Sequence, residues 1–191
     1  MAWRPANNMA GRPIDPVTLR SFEPSHLGLL ARWLGEPHVT RWYPQPEENL
    51  RWAANPPPGG SQTIVASGTS EVGYLRWQRV DRATLDGLGL PEIPSNSVDA
   101  DMLVNESGVG RRLGPAALKV LAAEIRRDPT VPLIGLTTEL ENVRAHRAFE
   151  KAGFRIICQY EAPALGPCHL MISDLRPQRG GERIKSLNEG Q

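Results

Sequence analysis

The chain has little covalent or metallic framework to rely on. Two cysteines, Cys158 and Cys168, among 191 residues are too few for a disulfide scaffold. They fall on neighbouring runs of strand character, so one cross-strand pair is geometrically open, but a reducing compartment opposes the bond. The four histidines, His26, His38, His146 and His169, show no metal-ligand spacing, and no metal is expected. No apolar run is long enough to cross a bilayer, and the opening "MAWRPANNMAGRP" has no signal core, so a cytoplasmic protein without a membrane partner is expected. Net charge is scarce as well. Lys plus Arg number 22 against 21 Asp plus Glu, a formal +1 without a basic stripe, which argues against nucleic acid as a partner. Any anion must be held locally.

What is present is an alternation of strand and helix signals sufficient for one domain, predicted over residues 16–176. The polar, Gly- and Pro-bearing ends, 1–15 and 177–191, are expected to be disordered. "VTLRSF" reads as a strand; "PSHLGLLARWLGEP" reads as a helix with Leu27, Leu30, Ala31 and Leu34 at helical spacing. "QTIVAS" and "EVGYLRWQRV" read as a hairpin, and "DRATLDGLGLPEIPSNS" as an irregular binding loop. The strand "VDADMLV", a helix, the strand "PLIGLTTE", a second helix and two closing strands follow. The order is mixed α/β, with parallel pairing where a helix crosses from one strand to the next. Nothing in it fixes monomer against homodimer.

The stretch "VNESGVGRRLGPAALKVLAAEIRRD" joins an apolar strand end to a helix whose Leu113, Ala117, Val120, Leu121 and Ile125 form one stripe. Backbone N–H groups of Val109, Gly110, Arg111, Arg112, Leu113 and Gly114 lie at the helix mouth, where donors lack intrahelical partners and the dipole adds partial positive charge. A pyrophosphate fits there, and Arg111 and Arg112 can add charge-assisted contacts. The spacing is neither that of the P-loop nor that of the dinucleotide fingerprint. The plainer reading is that the glycines shape a turn and the arginines solvate a helix end.

In "NVRAHRAFEKAGFR", Asn142 is positioned to cap a helix, Ala145, Ala148, Phe149 and Ala152 share a face, and Gly153 ends it. Together "VDADMLV", "VGRRLG" and this segment resemble the core of the GNAT superfamily of acyl-CoA N-acyltransferases, over residues 17 to 175. The family's glycine motif is Gln or Arg, two residues, Gly, one residue, then Gly or Ala. Val109 stands at the Gln/Arg position and Arg112 at the first Gly, while Gly110, Leu113 and Gly114 fit. The resemblance implies a single α/β domain with a central mixed, splayed sheet flanked by helices, and acetyl-CoA as cosubstrate. It also implies a bulged strand on which Leu103 and Val104 offer backbone to the pantetheine arm. Asn142, with Ala145 and Phe149 on its helix, is implied to contact the same carrier.

Within the superfamily, "LARWLGEPHVTRWY", "VDADML" and "LTTELENVRAHRAFEKAGF" resemble aminoglycoside N-acetyltransferases of the 6'-acetylating type and their kasugamycin-acetylating relatives. By that resemblance Asp99 is the catalytic carboxylate. A sugar ammonium with pKa near ~8 is mostly protonated at pH 7, so something must take its proton. Asp101 shares the face of Asp99 if the alternation holds, Glu92 in the preceding loop extends the acidic wall, and Glu139 adds charge. Trp42 and Tyr43 match the double aromatic of the sugar pocket. The plainer alternatives are solvated strand-end acids and a core tryptophan.

Three departures bear on the substrate. Thr137 and Leu165 stand where 6'-acetylating relatives carry acids, which favours a substrate with few amines, such as kasugamycin acetylated at its 2' amine. Phe149 replaces a tyrosine that many relatives use to protonate the leaving thiolate. Rival readings are a siderophore hydroxylysine or lysine N-acyltransferase, a peptide or ribosomal-protein N-acetyltransferase, and a CoA-binding module without turnover.

Overall fold

In the computed structural model, which describes residues 15–176, seven strands form one sheet in the order β1-β2-β3-β4-β5-β7-β6. The ends expected to be disordered lie outside the described residues except for Asp15, whose carbonyl accepts from Ser67 Oγ at 3.3 Å. Strands β1 (Val17–Ser21), β2 (Ser61–Ser67), β3 (Ser70–Val80) and β4 (Ser97–Val104) pair antiparallel. Strand β4 pairs parallel with β5 (Leu133–Glu139), which pairs antiparallel with β7 (Gly166–Asp174), itself antiparallel to β6 (Arg155–Ala162). The expected mixed sheet is present.

Three short helices cover one face: α1 (Leu27–Leu34), α2 (Pro37–Thr40) and α3 (Pro46–Ala54). Leu30, Trp33 and Leu34 bury themselves against Ile64, Tyr74 and Leu103 of the sheet. Ala31, expected in that stripe, is exposed, because Trp33 with its larger apolar area takes the inward position. On the other face α5 (Leu113–Ile125) and α6 (Val143–Ala152) pack over β4 and β5. The stripe of α5 is wider than expected, since Leu118 and Ala122 are buried while Val120 is only half-buried.

The stretch after β3, expected to be irregular, contains a helix, α4 (Arg82–Gly87), capped by Asp81 Oδ1 accepting from Thr84 N at 2.8 Å. Leu85, Leu90 and Ile93 are buried beside Leu133 and Ile157, and Arg82 donates to the carbonyls of Leu90 and Ile93 at 3.1 and 2.9 Å. The prolines and glycines conceal an apolar set that anchors the segment.

The placement of the site depends on one discontinuity. Strands β4 and β5 pair only at Val98↔Ile134, Asp99↔Gly135 and Ala100↔Leu136. Beyond these, β4 stays in register with β3 as far as Gly73↔Val104, and β5 stays with β7 as far as Glu139↔Cys168. Each strand follows its antiparallel partner, and the sheet opens between them. The implied splay is therefore present, but the implied bulge on β4 is not, since its register with β3 is unbroken. Cys158 lies opposite Leu170 and Cys168 opposite Tyr160, and both cysteines are buried free thiols.

Candidate active site

Where β4 leaves β5, one edge of β4 lacks a strand partner. Asn105 N donates to Val72 O at 2.9 Å, so alternation turns the backbone of Leu103 toward β3 and that of Met102 and Val104 toward the opening. Side chains from the α2 region meet both outward carbonyls. The Tyr43 hydroxyl, whose single proton is shared between this acceptor and Asp101 Oδ1, lies 2.8 Å from Met102 O, and His38 Nε2 donates to Val104 O at 2.9 Å. Of the two residues expected to offer backbone, Val104 does face the gap. Leu103 does not; Met102 takes its place.

A cavity of about 520 Å³ opens beside this gap. Asp99 and Asp101 line it from one face of β4, as the alternation requires, together with Trp42, Tyr43 and Glu139. The two carboxyls differ in electrostatics. Asp101 Oδ2 accepts from Arg76 Nη2 at 2.8 Å and Nε at 3.1 Å, while its Oδ1 accepts from the Tyr43 hydroxyl. Asp99 has no hydrogen-bond or ion-pair partner among the described residues. Burial, aided by repulsion from Asp101 and only partly opposed by Arg76, pushes its pKa up to about 7. Glu139 is also raised, chiefly by burial. The two neighbouring carboxyls of β4 thus differ in their partners, Asp101 being ion-paired and hydrogen-bonded while Asp99 is neither.

Asn142, Ala145 and Phe149 of the α6 region line the same cavity. Asn142 Oδ1 accepts from Ala145 N at 3.1 Å, the expected cap, which leaves its Nδ2 without a partner among the described residues. Thr137 and Leu165, where relatives' acids are missing, line the cavity too, and Thr137 Oγ1 lies 2.7 Å from the Tyr160 hydroxyl.

The glycine turn lies beyond the cavity, against the Met102 and Val104 side chains. Two of the six expected donors are already used: Val109 N bonds Glu106 O at 3.2 Å, and Arg111 N bonds Gly108 O at 3.3 Å. The N–H groups of Gly110, Arg112, Leu113 and Gly114 have no acceptor among the described residues. A Cβ at Gly114 would make only ordinary contacts, 3.6 Å from Met102 Cε and 3.7 Å from Val104 Cγ2. Packing does not demand that glycine, and its bareness leaves the turn's donors accessible. Arg111 and Arg112 are exposed, with no ion-pair partner among the described residues. An anionic group therefore fits this turn on the chemistry of its donors.

Arg112 carries a left-handed backbone, φ 60, at the position where the resembling motif has glycine. A side chain there costs roughly 1–2 kcal/mol. Arg112→Gly is expected to raise unfolding stability by about 1 kcal/mol, read as a higher Tm in a thermal melt. An unchanged or lower Tm would remove the strain.

Glu92 does not join the acidic wall. It is exposed, absent from the cavity lining, and acts electrostatically on Cys158 of β6 instead. The sequence reading missed Arg76, which stands opposite Asp101 in the β3–β4 register, and Trp52, whose ring lies 4.9 Å from the guanidinium carbon of Arg76. Alternation in "YLRWQRV" puts Arg76 and Gln78 on one face, so the signal was available once the pairing with β4 was known. Trp42 is half-buried in the cavity wall rather than in the core, with the Arg41 guanidinium 4.6 Å above it.

A gap in a parallel pair, a helix mouth with open donors beside it and an acid near its own pKa belong together in enzymes that pass an acyl group from a phosphate-bearing thioester carrier to an amine. The chain belongs to the acetyltransferase (GNAT) domain family, whose sequence model matches residues 23–161. It is an acyl-CoA N-acetyltransferase. It is similar to aminoglycoside N(6')-acetyltransferase type 1 of Klebsiella pneumoniae, 25% identical over 196 residues that span 91% of this chain and 89% of the relative. The Serratia marcescens protein of the same name is 25% identical over 163 residues, covering 73% of this chain and 74% of the relative. Among solved structures, the aminoglycoside acetyltransferase AAC(6')-Ib in complex with coenzyme A and kanamycin superposes with a TM-score of 0.72 at 27% identity, covering 83% of this chain and 94% of that one. Its complex with ribostamycin and coenzyme A gives 0.72 at 26% identity, covering 84% and 94%. Among the described residues no helix is long and apolar enough to cross a membrane.

Proposed function

We propose that the protein acetylates one amino group of an aminoglycoside from acetyl-CoA in a single ternary complex, and that Asp99 takes the amine proton. The unpartnered Asp99 carboxyl in the cavity carries the reading. An acid with pKa about 7 matches an ammonium near ~8 far better than an ordinary carboxyl does, so proton transfer costs little. The amine forms the new C–N bond as the C–S bond breaks, and the thiolate takes its proton from solvent, Phe149 having none to give. The open-edge N–H groups of Met102 and Val104 stand where developing carbonyl charge can be met. At the turn, the free donors of Gly110, Arg112, Leu113 and Gly114, with Arg111 and Arg112, hold the carrier's diphosphate; Asn142 Nδ2 is left to donate to its pantetheine arm.

The loss of acids from the cavity wall favours an acceptor with few amines. Asp101 is committed to Arg76 and Tyr43, and Thr137 and Leu165 supply no charge. Kasugamycin, acetylated at its 2' amine, fits such a wall better than kanamycin acetylated at a 6' amine. The deciding assay mixes purified protein, acetyl-CoA and one of kasugamycin, kanamycin, hydroxylysine or a Ser-terminal peptide, and follows thiol release. Turnover confined to an aminoglycoside supports the reading. Turnover with hydroxylysine or the peptide replaces it, and the absence of release with any of these amines ends it.

A pH profile tests the base. Asp99 must be ionised to accept a proton, so kcat/KM is expected to rise through an ionisation near 7 rather than in the ordinary carboxylate range. Asp101→Asn removes a negative neighbour and releases Arg76, and both changes favour ionised Asp99. The acid limb should move down by about one pH unit. A limb unmoved by that change would assign it to another group.

A further inference from the structure

Among the ionisable groups of the cavity wall, Arg76 is the cation in an otherwise acidic set of Glu48, Asp99, Asp101 and Glu139. A guanidinium has five N–H donors. Nε and Nη2 of Arg76 are both turned onto one oxygen of Asp101, while Nη1 has no partner among the described residues. Trp52 lies 4.9 Å from the guanidinium carbon and fixes its plane. The side chain is 21% exposed, so water shields its remaining donors poorly.

The Tyr43 hydroxyl, on the other oxygen of Asp101, completes that carboxylate's share of the pairing. A substrate group arriving here meets a neutral ion pair with donors to spare. A second ammonium finds no free carboxylate at this point and is repelled by Arg76. A carboxylate finds an open, planar pair of donors of the kind that binds acids in bidentate fashion.

We infer that Arg76, held by Asp101 and Trp52, forms an anion subsite in the acceptor cavity, so that the preferred acceptor is an amino sugar carrying a carboxylate or equivalent acid besides its reactive amine. The inference rests on the acetyl-transfer reading and adds to it the class of acceptor. Asp99 handles the amine, and Arg76 sorts amines by what else they carry.

The test uses the full chain with coenzyme A present and two probes that differ at one carbon, 2-amino-2-deoxyglucose and 2-amino-2-deoxyglucuronic acid. Affinities are read by calorimetry or by quenching of tryptophan fluorescence. Wild-type protein is expected to bind the acid about 10-fold more tightly than the amino sugar that lacks the carboxylate. Arg76→Gln alone leaves Asp101 unpaired and risks misfolding, so the double variant Arg76→Gln with Asp101→Asn keeps the shape without the charges; it should bind the two probes equally. Arg76→Lys should retain only part of the preference, since a point charge lacks the fork. Equal wild-type affinities, no saturable binding of the acid, or a preference that survives in the double variant would each overturn the subsite. Thiol release from acetyl-CoA with the aminoglycoside panel is scored separately. Transfer without acid preference removes the subsite alone, whereas the absence of transfer to any amine removes the reading beneath it.

Discussion

Asp99→Asn is expected to lower kcat by roughly 10²-fold or more while leaving affinity for acetyl-CoA unchanged. The substitution keeps size and shape but removes the group proposed to take the proton. The sites proposed for the carrier lie elsewhere, on the turn and on the edge of β4. Stability provides a second readout. Burial is the main cause of the raised Asp99 pKa, so the folded state resists ionising it. With a folded pKa above the unfolded one, its contribution is fully present below the unfolded value near ~4 and is lost as pH rises through about 7. Above pH 7 the wild type therefore carries a cost that Asn does not, and the variant should melt a few degrees higher there. At pH 4 the two should melt together. Wild-type turnover would remove Asp99 from the mechanism, and a variant that melts lower at every pH would make the residue structural.

The sequence carried the fold wherever a single period dominated. Alternation in "VDADMLV" put Asp99 and Asp101 on one face, and the Asn142 cap with the Gly153 stop bounded α6 closely. Residues whose role depends on a partner strand were not readable. Arg76 looks like any exposed strand charge until the β3–β4 register places it against Asp101. His38 belonged to a resembling segment, but its bond to Val104 O depends on α2 packing beside the opening in the sheet. His146, within a polar-looking helix, is buried, with its Nε2 3.2 Å from His169 Nδ1 on β7. Glu92 failed for the opposite reason: apolar anchors in its own segment, Leu90 and Ile93, turn the loop so that the acid faces away from the cavity. The acid wall was legible as a composition, and its division into a paired and an unpaired carboxyl was a property of the register.

Gly73→Ala is expected to destabilise the protein by about 3 kcal/mol, lowering Tm by roughly 6–12 °C, and to weaken binding of the carrier. Gly73 faces Val104 across β3 and β4, just beyond a register shift between β2 and β3 at Val65/Ala66. A Cβ there would fall well inside contact distance of the Leu103 carbonyl oxygen, with Val104 Cα at 3.3 Å and Leu103 C at 3.4 Å. These atoms are all backbone, so no rotamer change relieves the collision and the strands must part. Parting them moves the end of β4 that bears the Val104 carbonyl, its His38 bond and the start of the glycine turn. Gly28→Ala is the matched control: nothing lies within 4 Å of a Cβ there, and α1 should gain roughly 0.5–1 kcal/mol. If Gly73→Ala melts with the wild type and binds coenzyme A as tightly, then β3 does not fix the position of β4, and the opening in the sheet must be held from the α2 side by His38 and Tyr43.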